Sequence, residues 1–323
     1  MRGLLGTQLS FASGLTTGEL RWIDDREAHP VGVDGGRLKV EWRVLNTRSC
    51  RDVDDSLRWD GDVLLGFLGL YAFAPPTAEL AGMVHPDARR RGIATALLDA
   101  ALSLCLKRDY RQVLLVTPGE SSPGRSFALS RGGVLEHSEH ALALLDEPTE
   151  GLEDPAVTVR TATQADASEV SRLLMATFGT APPKALQLQT TERSRTMLAE
   201  LSGCAVGTLR LTREGGAAGI YGFAVDPAWQ GRGIGRDILR RVCRQLRAEG
   251  VHRIGLEVAV DNDHPLGLSS SLRFPPVQTQ NYHALPFFEP VQRDGGPTPH
   301  VSRHYPYPHH PRSLLCHITH TPA

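Results

Sequence analysis

Two short segments have residue types and spacing suited to holding an anion: Gln230-Gly231-Arg232-Gly233-Ile234-Gly235 and Arg89-Arg90-Arg91-Gly92-Ile93-Ala94. Glycine has no Cβ, so backbone N–H groups at these positions can approach a ligand closely. Where a helix begins there, its first amides lack intrahelical acceptors and its N-terminus carries a partial positive charge. Together these features suit a diphosphate. Arg232, Arg236 and Arg91 can add charge-assisted contacts to phosphate oxygens. Two other phosphate-binding patterns do not fit. A P-loop needs GxxxxGK[ST], and no lysine is near; a dinucleotide fingerprint needs GxGxxG and an acid about 20 residues on. Taken singly, either segment reads more readily as a tight strand-to-helix turn with solvated arginines.

The segments gain weight because they belong to an internal repeat. At an offset of 141 residues Val84-His85-Pro86 falls on Val225-Asp226-Pro227, and Arg91-Gly92-Ile93 on Arg232-Gly233-Ile234. Gly66, Leu68 and Leu70 fall on Gly207, Leu209 and Leu211, again without a gap. A period this long means a duplicated domain, since solenoid units run about 20–50 residues.

Each copy needs the same elements to position its loop. In the second, Thr158–Thr161 reads as a strand, and Asp166 with Glu169 has the spacing of a capping box opening a helix through Leu173, Leu174 and Phe178. Met197–Leu201, a Ser202-Gly203 turn and Ala205–Leu211 predict a hairpin, followed by a strand Ile220–Val225. Ile234, Ile238, Val242 and Leu246 then recur every four residues on one helix face, and Arg253–Val260 is a further strand. The first copy repeats the pattern from Leu64–Phe73 through the Ile93, Leu97, Ala101 and Leu104 helix to Val113–Val116. Breakers Pro148, Gly151 and Pro155 among acidic residues mark a linker. The expected organisation is an N-terminal domain over 1–147, a linker over 148–156, a second domain over 157–288 and a poorly ordered Pro/His-rich tail over 289–323.

Val84-His85-Pro86 with Arg89–Ala94, and Val225-Asp226-Pro227 with Gln230–Gly235, resemble the acyl-CoA-binding signature (Q/R)xxGx(G/A) of GNAT-type N-acetyltransferases. Leu256-Glu257-Val258 and Asn262 are similar to the next motif of that superfamily. The chain therefore looks like a tandem, mycothiol-synthase-like two-domain member. The resemblance implies an α/β fold of two tandem domains, each a central mixed β-sheet flanked by helices, with the fourth and fifth strands splayed apart. It also implies acetyl-CoA as co-substrate. Phe223, Ala224 and Val225 would pair with pantetheine, and Gln230, Gly231, Arg232, Gly233, Ile234, Gly235 and Arg236 would hold the pyrophosphate. Met83, Val84, Arg89, Arg90, Arg91, Gly92, Ile93, Ala94 and Thr95 would do the same in the first copy. Asn262 matches an asparagine near the pantetheine arm; it reads equally as an ordinary turn residue.

The implied reaction is direct attack of a primary amine on the thioester. An amine with a pKa near 10 needs a base or water chain to take its proton. Candidate bases are Glu79, Tyr221 and Glu257, on the strands flanking the loops; each reads also as a half-buried strand residue. The thioester oxygen needs a donor, for which the Val225 or Val84 N–H is placed. The tyrosine that often protonates the leaving thiolate in this family is missing. Ser269 and Arg273 stand where its Tyr and Gly are expected, and Ala128 and Gly132 hold the matching positions of the first copy. A missing general acid costs about 10²–10⁴ in rate, whereas bringing the reactants together contributes about 7–11 kcal/mol, so transfer can survive the loss. Tyr282, or a water held by Ser269, is a substitute donor.

Composition narrows the partners. The 35 basic and 36 acidic residues balance to a net charge of −1, leaving no footprint for nucleic acid. The longest apolar run, Val63–Ala74, is too short for a membrane helix and contains Gly66 and Gly69. The five cysteines have neither CxxC spacing nor an even count, which argues against a disulfide framework and a zinc site. His300, His304, His309, His310, His317 and His320 have no ordered scaffold that would gather them round a metal. The expectation is a cytoplasmic monomer or homodimer whose substrate is a small-molecule or peptide amine, with no resident metal. The alternatives are a non-catalytic acyl-CoA-binding protein, and a chain whose second copy is degenerate beyond about His264.

Overall fold

Alternating apolar residues set the buried face of each strand, and two glycine-opened helices cover the sheets those strands form. The architecture is that of a computed structural model describing residues 7–27, 38–40, 42–46, 48, 51–144, 146–148, 150–151, 153–179, 188, 191, 193–259 and 271–286. The expected tail over 289–323, Asn262, Pro265 and Ser269 lie outside the described residues. The described chain divides into two units, one built from residues up to Ser138 together with those from Gln278, the other from Glu139–Val277.

The first unit contains β1 (Thr7–Ala12), α1 (Thr17–Glu27), α2 (Trp42–Asn46), β2 (Asp55–Asp60), β3 (Val63–Ala74), β4 (Thr77–Val84), α3 (Ile93–Lys107), β5 (Gln112–Pro118) and α4 (Ser122–Ser130). Most of β6 (Val134–Leu144) belongs to the second unit, with β7 (Val157–Thr161), α5 (Ala167–Phe178), β8 (Ser194–Leu201), β9 (Cys204–Glu214), β10 (Ala217–Val225), α6 (Ile234–Ala248) and β11 (Arg253–Ala259). The last strand, β12 (Pro276–Ala284), returns to the first unit.

Both sheets follow one plan. In the first unit β1 to β4 are successive antiparallel neighbours, β4 and β5 are parallel, and β12 pairs antiparallel with β5. In the second, β7 to β10 repeat the antiparallel run, β10 and β11 are parallel, and β6 pairs antiparallel with β11. The strand that pairs with β5 or β11 on the side away from β4 or β10 thus comes from the other half of the sequence repeat. The linear boundaries 1–147 and 157–288 do not capture that exchange.

In the first unit α3 buries Ile93, Leu97, Leu98, Ala101 and Cys105 against Leu68, Leu70, Ala78, Leu80, Val113 and Leu115. The alternate residues Phe67, Tyr71, Ala81, Leu114 and Val116 pack on the other face with Ile23, Leu38, Val40, Trp42, Leu45 and Tyr282. Each of the leucine, isoleucine, valine and phenylalanine side chains contributes roughly 1.5–3 kcal/mol on burial. In the second unit Ile234, Ile238, Val242 and Leu246 of α6 are all buried, as the spacing of four predicts. The capping box differs from expectation: Thr163 and Asp166, not Asp166 and Glu169, form it, with the Thr163 N–H donating to Asp166 Oδ2 at 2.7 Å. Arg160 binds the same carboxylate and holds it below the usual range.

Ion pairs anchor the far end of α3. Its C-cap residue Arg108 donates to Asp54 Oδ1 at 2.6 Å and to the Val53 carbonyl at 2.7 Å. Beside it, Arg48 clasps the wholly buried Asp55 through two bonds of 3.2 and 2.7 Å. Burial outweighs the guanidinium and raises Asp55 from 3.8 to about 6. A carboxyl raised on folding favours the native state fully below its unfolded pKa, and that contribution disappears as the pH rises through the folded value. Asp55 is therefore expected to subtract roughly 2–3 kcal/mol of stability between pH 4 and pH 7, read from the urea midpoint, offset in part by His283, which burial holds below its usual range and whose contribution rises with pH. The Asp55→Asn variant should flatten that part of the profile.

Candidate active site

The site begins where the parallel strands part. Pairing between β4 and β5 runs from Thr77↔Gln112 to Leu80↔Leu115 and stops there, although the strands continue to Val84 and Pro118. Pairing between β10 and β11 stops likewise at Ile220↔Leu256. The rest of β4 is held from one side only: the His85 N–H donates to the Leu65 carbonyl at 2.8 Å. Because backbone groups alternate along a strand, the Val84 N–H points the other way, into the opening. In the second unit the Asp226 N–H donates to the Val206 carbonyl at 2.9 Å and turns the Val225 N–H into the corresponding gap. The two strands differ upstream, where a register shift between Tyr221 and Ala224 accompanies Gly222 at φ 51°; β4 keeps even register from Glu79 to Val84.

The loops after the strands are built alike. A side chain one residue past the 3₁₀ turn folds back onto the strand end: Arg89 Nε donates to the Val84 carbonyl at 3.2 Å, and Gln230 Nε2 to the Val225 carbonyl at 2.9 Å. The first motif residue therefore fixes the loop against the strand. Gly92 and Gly233 are the N-cap residues of α3 and α6, at φ 80° and 83°. Such left-handed conformations suit glycine. Two residues earlier Gly231 has φ 75°, while the first unit has Arg90 at φ 62°. Arginine in that region costs about 1–2 kcal/mol, a local strain held at the mouth of the site. The first helical amides with acceptors are those of Ala96, bonded to Gly92 at 3.0 Å, and Asp237, bonded to Gly233 at 3.1 Å. Among the described residues the N–H groups of Gly92–Thr95 and Gly233–Arg236 have no acceptor in the chain. Each set is a convergent group of donors at the positive end of a helix dipole.

In the first unit these donors border a cleft of about 770 Å³. Met83, Val84, Arg89, Arg90, Gly92, Ile93, Ala94 and Thr95 line it; Arg91 does not, and donates to the Asp87 carbonyl at 2.9 Å. Gly82 also lines it, and a Cβ there would stand 2.3 Å from the Phe67 carbonyl oxygen, so only glycine allows β4 to lie this close to β3. The opposite wall was not anticipated from the sequence: Thr117, Pro118, Ser121, Ser122, Ser126, Phe127 and Ser130, from the end of β5 and from α4. Ser121 stands 141 residues before Asn262, and its hydroxyl caps α4 by accepting from the Gly124 N–H at 3.1 Å. The repeat offset, extended across that loop, was the available signal.

The candidate bases are dispersed. Glu79 is half-buried on the β4 face shared with Ala81 and Met83, about 13 Å along the strand from Met83 at about 3.3 Å per residue. Tyr221 and Glu257 are half-buried on β10 and β11 of the second unit. Phe223, Ala224, Val225 and Gln230–Arg236 surround the second loop, where Arg232 lies 4.8 Å over the Trp229 ring. Ala128, at the position of the family's tyrosine, is wholly buried. Tyr282 belongs to the first unit, where it accepts from Lys39 Nζ at 2.5 Å and stacks on His137 at 4.3 Å. Burial pushes the Cys105 and Cys243 thiols up to about 12, which suits packing rather than nucleophilic chemistry. Among the described residues no carboxylate, histidine, tyrosine or cysteine lines the cleft.

A family model described as the acetyltransferase (GNAT) family matches residues 19–129 and 167–268. The chain belongs to the GNAT acetyltransferase family. It is an acyltransferase with two GNAT regions in tandem. The mycothiol acetyltransferase of Kineococcus radiotolerans is 30% identical over 278 residues, spanning 78% of this chain and 88% of the relative. That of Mycolicibacterium vanbaalenii is 31% identical over 235 residues, 66% of this chain and 75% of the relative. The fold is shared with a GCN5-related N-acetyltransferase from Sphaerobacter thermophilus at a TM-score of 0.72 and 17% identity, covering 88% and 97% of the two chains. It is shared also with a tandem GNAT protein from the clavulanic acid biosynthesis pathway, at a TM-score of 0.59 and 18% identity over 86% and 98%. Among the described residues no helix is long and apolar enough to cross a membrane, and no group of three or more His, Cys, Asp or Glu could hold a metal.

Proposed function

We propose that this GNAT acetyltransferase moves the acetyl group of acetyl-CoA to a primary amine of a small molecule, with the co-substrate held in the first-unit cleft. The observation that carries this reading is the meeting of free helix amides, an unpaired strand edge and a cleft of about 770 Å³ in one place. In this reading the Gly92–Thr95 amides hold the diphosphate, Arg90 adds charge at the mouth, and the exposed edge of β4 pairs with the pantetheine arm. The Val84 N–H faces the thioester oxygen, a placement that can contribute about 10²–10³ in rate. With no cysteine in the described lining, direct attack in a ternary complex is favoured over an acyl-enzyme on a thiol. Glu79 takes the amine proton through water, since its strand position is too distant for direct contact. The curated relatives named as mycothiol acetyltransferases support a small-molecule amine over a peptide.

The lack of a described acid–base side chain in the lining, with Ala128 in the tyrosine's place, favours a second reading: an acyl-CoA-binding protein without turnover. Release of free thiol from acetyl-CoA, followed against a panel of amino sugars, amino-acid conjugates and short peptides, separates them. Amine-dependent release is the expected result. Tight binding without release above the uncatalysed rate for any amine would establish the binder.

A further inference from the structure

Thr117 presents a hydroxyl that the folded chain does not use. It lies near the end of β5, beyond the last pairing with β4, and is held from the other side by register with Asn281 of β12. Its side chain packs toward the first turn of α4, where a Cβ on Gly124 would lie 3.3 Å from the Thr117 Cβ. The residue is 5% exposed and its Oγ1 is buried without a hydrogen-bond partner among the described residues. It nevertheless lines the cleft. A buried donor left unpaired destabilises a fold, while a valine of the same shape would not. The equivalent residue at the repeat offset is a valine, Val258, so the hydroxyl is not a requirement of the strand.

A ligand anchored by its diphosphate at Gly92–Thr95 and running down the opening between β4 and β5 passes this hydroxyl. The part of coenzyme A that occupies such a position is its amide-bearing arm. Resting on the proposed function above, we propose that Thr117 Oγ1 donates a hydrogen bond to an amide carbonyl of the pantetheine arm, completing a site that is one donor short of satisfaction in the free protein.

The test compares the parent chain with Thr117→Val and Thr117→Ser by calorimetric titration with acetyl-CoA and with adenosine 3′,5′-bisphosphate, which lacks the arm. The valine variant is expected to bind acetyl-CoA about tenfold more weakly, to bind the bisphosphate as the parent does, and to melt about 2–4 °C higher when free of ligand. The serine variant should bind acetyl-CoA within about twofold of the parent. Unchanged acetyl-CoA affinity in the valine variant, or equal weakening toward both ligands, would overturn the assignment. Failure of the parent chain to bind acetyl-CoA would instead overturn the reading of the cleft.

Discussion

Residues 1–147 expressed alone are expected to show no cooperative unfolding transition. That fragment ends before β12, the strand that pairs with β5 from Gln280↔Pro118 to Ala284↔Leu114. Without it Tyr282 and Leu285 leave the two cores on either side of the first sheet, and the Tyr282 contacts of the stacked His137 and the buried Lys39 are lost. Two large apolar side chains contribute roughly 3–6 kcal/mol, and a five-residue ladder is lost besides. A typical domain has only about 5–15 kcal/mol in total, so the fragment falls near or below its threshold. The fragment 157–288 has the complementary defect. It lacks β6, whose Leu142 and Leu144 are buried in the second core and whose ladder with β11 runs from Glu139↔Ala259 to Leu144↔Ile254. Mixing separately produced fragments 1–150 and 151–323 should restore a cooperative transition to both. Circular dichroism melts of each fragment and of the mixture check this. A sharp transition in 1–147 alone at the melting temperature of the full chain would refute the dependence on β12.

Replacing Gly92 with glutamate should weaken acetyl-CoA binding at least about a hundredfold. Two effects act together. The carboxylate enters at the N-cap of α3, beside amides that otherwise face the diphosphate, and like charges in a partly desolvated cleft repel by several kcal/mol. The φ of 80° at this residue also strains any side chain at about 1–2 kcal/mol, moving the loop. Strain alone is controlled by Gly233→Glu, made at φ 83° in the second unit, which should cost similar stability yet leave the first-unit affinity within about twofold. Calorimetric titration of both variants, with their urea midpoints, decides between the effects. Parental affinity in Gly92→Glu, or equal losses in the two variants, would contradict placement of the co-substrate in the first unit.

Much of this was legible because the repeat compares the chain with itself. A single glycine-rich turn is ambiguous, but Gly92 over Gly233 and Val84 over Val225 fix both loops at helix starts, and the structure gives both glycines nearly the same φ. The role of Arg89 and Gln230 was less visible, since a side chain returning to a carbonyl five residues earlier leaves no periodic trace. The exchange of β6 and β12 was not legible at all. Alternation in Val134–Leu144 says that one face is buried but not beside which neighbour, because strand pairing is a long-range choice. Thr117 is not legible for a related reason: inside an apolar run a threonine reads as an ordinary β-branched strand residue, and only the packing around it shows its hydroxyl to be unpaired.

The most direct test of the account is a crystal structure of the full chain grown with acetyl-CoA. The diphosphate is expected within hydrogen-bonding distance of the amides of Gly92–Thr95, and the thioester beside Val84, between the separated ends of β4 and β5. Well-ordered acetyl-CoA found only elsewhere on the chain, with the first-unit cleft left without it, would contradict that placement.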